Sequence, residues 1–390
     1  MNVLYCLECR NAIMAAALLL STLLTGCANP GRRESGGRPP GVVVIYQSRG
    51  EIVGLSALKG GAGDQVLVWE DLPLSRPPTV RLLSLDVSSG KTKVLHEGVL
   101  DPSQMFGHEV ALSNDGSRIA ANGSDDGADH PKHGMYVSDD FRTWALVTPL
   151  DNRVRILPRW SPDATALAFL SMEPEHYPHL IPMEAVVVSV PRPARPGKET
   201  ILTPEGGRSI DVAWAADGQC LYQAVSRPDR SGFYLETLDW PSLERRTVMT
   251  GGPLGLLSVA GETGDVVWME EEGNPGTTSA NQAGQGRVLR RLSPDGKPER
   301  TPVRPDRAPF LAVVSPDGRS VAVVPKLDTR DLHPWGKGLV IYSVRDGAPR
   351  AYSEFRDTEV ISVAWVLGGR GLAIAERGKR VWLVWTEAGL

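Results

Sequence analysis

Three observations predict an all-β chain folded as a single seven-bladed β-propeller with four-stranded blades. A tight turn between two apolar, Val-rich runs recurs at a period near 50 residues. In three of the copies a Trp stands one residue before the turn, so the repeat extends beyond the turn itself. The composition is also turn-dense, with 41 Gly and 31 Pro among 390 residues. A period near 50 with several short strands per unit is the mark of a propeller blade.

The clearest copy spans residues 310–324, FLAVVSPDGRSVAVV. Pro316 pre-sets φ at the first central turn position, and Gly318 supplies the φ > 0 needed to leave the turn. The flanking β-branched runs suit strands. Aligned on Ser315, further copies begin at Ser113, Ser161 and Ala215, with weaker ones at Gly60, Gly261 and Val366. The intervals are 53, 48, 54, 46, 54 and 51 residues, which makes seven units. Trp160, Trp214 and Trp365 precede their turns directly. Ser293-Pro-Asp-Gly296 falls out of phase and reads as the third-to-fourth strand turn of the fifth unit.

With RWSPDATALAF, VAWAADGQCLY, VVSPDGRSVAV and ALSNDGSRIAA in view, the chain resembles the TolB-like, WD-like propeller repeat family over residues 42–390. That resemblance implies a fold and leaves function open, because the fold carries binding proteins, enzymes and scaffolds alike.

Within the first unit the strands read as 51–58, 65–70, 79–86 and 91–97, which leaves residues 42–47 over. The last unit has three strands, 360–365, 371–376 and 381–385. The orphan N-terminal strand is therefore expected to complete the last blade and close the ring, removing two exposed sheet edges.

Upstream, residues 1–26 read as a lipoprotein signal peptide. An apolar run of about a dozen residues from Ile13 is too short to span a membrane and fits a signal h-region. It follows Glu8 and Arg10 and ends in Leu24-Thr-Gly-Cys27. That ending resembles the bacterial lipobox, which implies cleavage after Gly26 and a lipid on Cys27. Cys6 and Cys9, though spaced as C-x-x-C, lie in the segment to be removed. Cys220 is left without an intrachain partner and reads as a small apolar residue of a strand. Residues 28–41 form a Pro/Gly/Arg tether that reaches at most about 45–50 Å. The expected organisation is thus 1–26 signal peptide, 27–41 lipidated Cys and tether, and 42–390 propeller, held to a membrane on the extracytoplasmic side.

The second-to-third strand connections of blades 2 to 6 are long: 123–133, 172–183, 227–231, 270–286 and 326–337. On a propeller they gather at one face, and long loops on a rigid scaffold are where binding residues concentrate. Five of the seven histidines fall there. The candidate binding face comprises His130, His133, Glu175, His176, His179, Asp331, His333 and Trp335. His130, His133, His176 and His179 lie on neighbouring blades with Asp125, Asp126, Asp129 and Glu173 nearby. That donor set suits Zn²⁺ or another transition metal, although polar loops contain polar residues for solvation alone.

The net charge of −4 gives no reason to expect nucleic acid. There is no G-x-S-x-G elbow, no P-loop, no G-x-G-x-x-G after a strand and no EF-hand spacing. No cofactor is expected. The leading expectation is a non-catalytic module presenting its long-loop face to a protein, peptide or glycan. The alternative is a metal-dependent carbohydrate-active enzyme, by fold-level analogy with oligogalacturonate lyases, which use histidines on a related propeller.

Overall fold

The computed structural model describes residues 41–57, 65–72, 79–98, 110–125, 132–173, 183–226, 233–251, 254–271, 287–307, 309–326 and 336–386. Cys27 and the tether before residue 41 lie outside them. Two short 3-10 segments, Ser353–Phe355 and Leu367–Gly369, are the helical elements among the described residues; the rest is strand, turn and bend.

Five antiparallel sheets each hold four strands, and a sixth holds eight. The first four-stranded sheet (110–146) contains Val110–Leu112, Ile119–Asp125, Lys132–Ser138 and Ala145–Leu146. The next (154–201) contains Val154–Trp160, Ala166–Met172, Glu184–Ser189 and Glu199–Ile201. Then come a 208–251 sheet of Arg208–Trp214, Cys220–Ser226, Phe233–Asp239 and Arg245–Gly251, and a 254–300 sheet of Leu254–Val259, Val266–Glu271, Arg287–Leu292 and Pro298–Arg300. The 309–351 sheet has Pro309–Val314, Ser320–Pro325, Val340–Ser343 and Pro349–Ala351. Pro298–Arg300 pairs with Arg287–Leu292, so the out-of-phase Ser293 turn does join third and fourth strands.

The eight-stranded sheet arises from one long strand, Val42–Ala57. Its first half pairs with Gly378–Trp385, from Val42 opposite Val384 to Gln47 opposite Arg380. Its second half pairs with Gln65–Leu72, from Glu51 opposite Asp71 onward. The orphan strand read from the sequence is therefore joined to the last strand of the chain.

Turn chemistry explains the repeat. Gly318 N–H donates to Ser315 O at 2.9 Å, Ser315 Oγ to Asp317 Oδ1 at 2.6 Å, and Arg319 N–H to the same oxygen at 3.1 Å. The turns at Ser113 and Ser161 reproduce this, with Ser Oγ to Asp distances of 2.6 Å in both. At Asp115 burial works to raise the carboxyl, but the Ser113 and Ser117 hydrogen bonds win and hold it at about 2. Gly116, Gly218 and Gly318 all take φ near +70°, and Ala164 takes 58° in the turn that lacks the glycine.

Successive sheets lock together through the same positions. Trp160 Nε1 donates to Ala111 O, Trp214 Nε1 to Arg159 O and Trp365 Nε1 to Val313 O, at 2.9–3.0 Å. Each indole thus satisfies a carbonyl two residues before the preceding turn. The core lies between sheets: Trp160, Phe169 and Val186 pack against Ala120, Met135 and Val137, and Val321 and Val323 against Val267 and Leu289. Another cluster joins Val66, Val68 and Leu83 to Ala373, Ala375 and Val381, on the two arms of the eight-stranded sheet. Arg118 is a buried rivet: its guanidinium bonds Asp139, Ala164 O, Val190 O and Pro191 O and lies 4.9 Å from the Trp160 ring. The sequence reading had no sign of it.

Candidate functional site

Of the candidate binding-face residues, His130, Glu175, His176, His179, Asp331, His333 and Trp335 lie outside the described residues. His133 is described, and its setting corrects the expectation of a loop residue. It belongs to the strand Lys132–Ser138 and is buried. Its main chain exchanges hydrogen bonds with Asp151, and its carbonyl accepts from Arg155 Nη1 at 2.9 Å. Arg155 is fully buried and also bonds Asp151 and Glu199. Next to His133, Gly134 lets Leu146 approach; a Cβ there would meet Leu146 Cδ1 at 2.5 Å. Burial, then the Arg155 charge, push the His133 imidazole below the ordinary histidine range against the pull of Asp151. At neutral pH it is uncharged. Among the described residues, no three His, Cys, Asp or Glu side chains are grouped to hold a metal ion.

In an antiparallel meander the second-to-third turn and the crossing to the next sheet lie at one end of the strands. A cavity of about 520 Å³ opens at that end where the two arms of the eight-stranded sheet meet. One wall is the short turn Arg377, Gly378 and Lys379, with Glu359 beside it; the other is the crossing Arg49, Gly50 and Glu51, with Leu72. Arg377 Nη1 donates to Glu359 Oε2 at 3.0 Å. Arg49, Glu51 and Lys379 are exposed and carry no side-chain hydrogen bond or ion pair among the described residues. Gly378 sits at φ 115°, a region open to glycine alone, and a Cβ there would meet nothing within 4 Å. The backbone at this turn therefore faces the cavity unshielded.

The first strands carry a second recurrent feature. Register slips by one or more residues at Ile52/Gly54, Ser209/Asp211, Gly255/Ser258, Pro309/Leu311 and Val360/Ser362, and opposite Ala168/Leu170 on Val154–Trp160. Leu157 and Leu256 take φ of 54° and 57° within two of these bulges. Arg159 Nη2 donates to Asp211 at 3.0 Å and its Nη1 to Leu257 O at 3.2 Å. Asp211 also accepts Leu257 N–H and Val212 N–H, both at 2.8 Å. One side chain thereby ties the first strands of three successive sheets.

No protein-family model and no curated protein sequence matches this chain. Solved structures do. An oligogalacturonate lyase in complex with manganese aligns with a TM-score of 0.59 at 12% identity, covering 89% of this chain and 93% of that one. The oligogalacturonate lyase of Vibrio parahaemolyticus aligns at 0.57 and 10% identity, over 89% and 94%. The Cps50 (Swd1) β-propeller domain of Myceliophteria thermophila aligns at 0.57 and 13% identity, over 87% and 98%.

The fold is a β-propeller.

Each four-stranded sheet is then a blade, and the eight-stranded sheet holds the long strand Val42–Ala57 between its two arms. The Arg159 bridge across three first strands falls where a propeller's first strands converge, around its axis. The cavity at Arg49 and Arg377 lies at the end of the strands from which the second-to-third connections leave. Cys220 plays no part in either feature: burial, with Asp217 and Asp239, pushes its thiol up to about 11.

Proposed function

We propose that this chain is a lipid-anchored extracytoplasmic binding module. Residues 1–26 are removed, Cys27 is acylated, and residues 28–41 tether a seven-bladed ring closed by the strand at 42–47. The long-loop face, including His130, Glu175, His176, His179, Asp331, His333 and Trp335, meets a protein, peptide or glycan. What carries this reading is the coincidence, at one end of the blades, of the long connections and the 520 Å³ cavity. Orientation adds support: Val42 enters its blade opposite Val384, at the short-turn end of the strands. Seven blades are supported by seven apolar clusters among the described residues, each shared by two neighbouring blades. Closure is supported by Ser362 Oγ, which donates to Leu55 O across the joint between last and first blades at 3.0 Å.

Anchoring is tested by Cys27→Ser. The variant is expected in the soluble fraction and free of fatty-acid label, whereas the wild type partitions with detergent-extracted membranes. Stable attachment requires more than one acyl chain, because a single chain binds only marginally. A wild type that is membrane-bound without label defeats the lipid assignment. Capture of envelope proteins or glycans by the immobilised propeller, lost when the long connections are shortened, tests the binding face.

A second reading is a metal-dependent, carbohydrate-active lyase, favoured by the two lyases among the similar structures, one of them in complex with manganese. Titration of Mn²⁺ and Zn²⁺ separates the two. We expect no stoichiometric metal and no rise in melting temperature of the kind ligand linkage produces. A one-to-one ion lost on replacing His130, His176 and His179 by Ala would favour the lyase. His133 is left out of that set because it is buried in a strand, and its replacement would test packing.

A further inference from the structure

We propose that the cavity at the joint between first and last blades binds a small zwitterion carrying two carboxylates and one ammonium, namely free glutamate or a short peptide that contains it. This deepens the binding-module reading and rests on it for the fold, though not for the lipid.

The charges at the cavity lead to that class. Among the described residues, five charged side chains line it. Arg377 and Glu359 are paired with each other at 3.0 Å and cancel. What remains is Arg49 and Lys379, both cationic, and Glu51, anionic, each exposed and without an ion pair among the described residues. Two unspent cations and one unspent anion in one concavity are the complement of two carboxylates and one ammonium. A dicarboxylate without the ammonium would leave Glu51 facing negative charge; a neutral amino acid would leave one cation unused. The volume, about 520 Å³, falls within the roughly 300–1,000 Å³ of small-molecule sites and exceeds what an inorganic ion needs.

The backbone agrees with a ligand at this place. Gly378 holds φ 115° in a turn where a side chain would meet open space, so packing does not call for the glycine. Its conformation does, and that conformation lays the main chain bare toward the cavity. Ser48 Oγ accepts the Gly50 N–H at 2.9 Å, which fixes the opposite wall. Leu72 supplies an apolar patch suited to the methylenes of glutamate. Arg49 and Glu51 belong to the start of the propeller, and Arg377 and Lys379 to its last blade. A ligand that engages both walls therefore bridges the joint, and occupancy should raise the melting temperature as binding to the folded state alone requires.

The experiment is isothermal titration and thermal melting of the soluble Cys27→Ser protein with L-glutamate and, separately, with γ-glutamylalanine. One-to-one binding of at least one of them, with a raised melting temperature, is expected. N-acetylglutamate, which lacks the ammonium, should bind at least tenfold more weakly, as should glutamine, which lacks one carboxylate. Glu51→Gln should erase the preference for glutamate over N-acetylglutamate, while Arg49→Ala and Lys379→Ala should each weaken glutamate at least tenfold. Among the described residues these side chains make no hydrogen bond or ion pair, so the unliganded melting temperature should stay unchanged in all three. Absence of saturable binding by both probes, or equal binding of glutamate and N-acetylglutamate, overturns the assignment. Failure here alongside successful capture of a partner through the long connections would remove this ligand and leave the binding module standing.

Discussion

At Gly318, as at Gly347, a positive φ and a close neighbour of the absent Cβ coincide. The φ of Gly318 is 71°, and a Cβ would stand 2.5 Å from Asp265 Oδ2 and 3.0 Å from Thr263 Oγ1 in the neighbouring blade. Asp265 cannot step aside cheaply, because it is buried and held by Arg291 and Thr263. Gly296 has a similar φ, 78°, with nothing near its absent Cβ. Gly296→Ala should therefore show only the conformational cost, about 1–2 kcal/mol. Gly318→Ala should cost about 1–2 kcal/mol more, since overpacking of a tight contact adds that much. Urea midpoints at unchanged slope decide it; equal losses at the two positions would mean that the Asp265 contact gives way freely.

Strands and hairpins are stitched into a propeller by the indoles. Trp214 Nε1 reaches Arg159 O at 3.0 Å, while the Nε1 of buried Trp268 has no hydrogen-bond partner. Trp214→Phe and Trp268→Phe remove comparable ring volume, but only the first also strands a carbonyl at the blade joint. Its stability loss should exceed that of Trp268→Phe by about 1 kcal/mol, the net worth of one such bond; an equal loss would make the Trp before the turn a matter of bulk alone. The Trp and the Ser-x-Asp-Gly turn were legible beforehand because both are local signals, fixed by φ and by hydrogen bonds within five residues. The bulges were not, since Ile210, Leu256 and Ile361 are as apolar as residues that pair regularly. Arg118 and Arg155 look like surface cations in sequence, and only the approach of a second blade makes them buried donors. The cavity was equally hidden: Arg49, Glu51, Arg377 and Lys379 stand more than 300 residues apart in pairs, and no spacing rule connects them. His133 failed in the opposite sense, because a run of polar residues reads as loop even where its end is paired into a strand.

On the scale of the whole molecule, stability depends on how the first and last described strands meet. Residues 42–47 cover one edge of the strand Gly378–Trp385, which would otherwise offer unpaired N–H and C=O groups beside Val381, Leu383 and Val384. Tyr46 adds a polar tie: its hydroxyl donates to Glu70 Oε1 at 2.5 Å, and Arg81 Nε donates to Glu70 Oε2 at 2.6 Å. Burial, then Glu70, drive the Tyr46 hydroxyl well above the ordinary tyrosine range, so it remains a donor at any pH the fold survives. Glu70 is fully buried and Arg81 nearly so. Loss of Tyr46 therefore removes one of two partners from a buried carboxylate, which is costly when the charge stays behind. Deleting residues 28–47 should open the joint, expose an apolar edge of the kind that pairs with other chains, and yield aggregates in place of monomer on size exclusion. Deleting residues 28–41 alone should leave the monomer and lose at most the one hydrogen bond that Gly41 O accepts from Trp385 N–H, because the tether has no periodicity that could pack. Tyr46→Phe is the intermediate case: the strand stays, the Glu70 bond goes, and a loss of about 1–3 kcal/mol is expected for a buried acceptor left short of a donor. If the 28–47 and 28–41 truncations melt together as monomers, strand 42–47 is an ornament on a ring that closes without it.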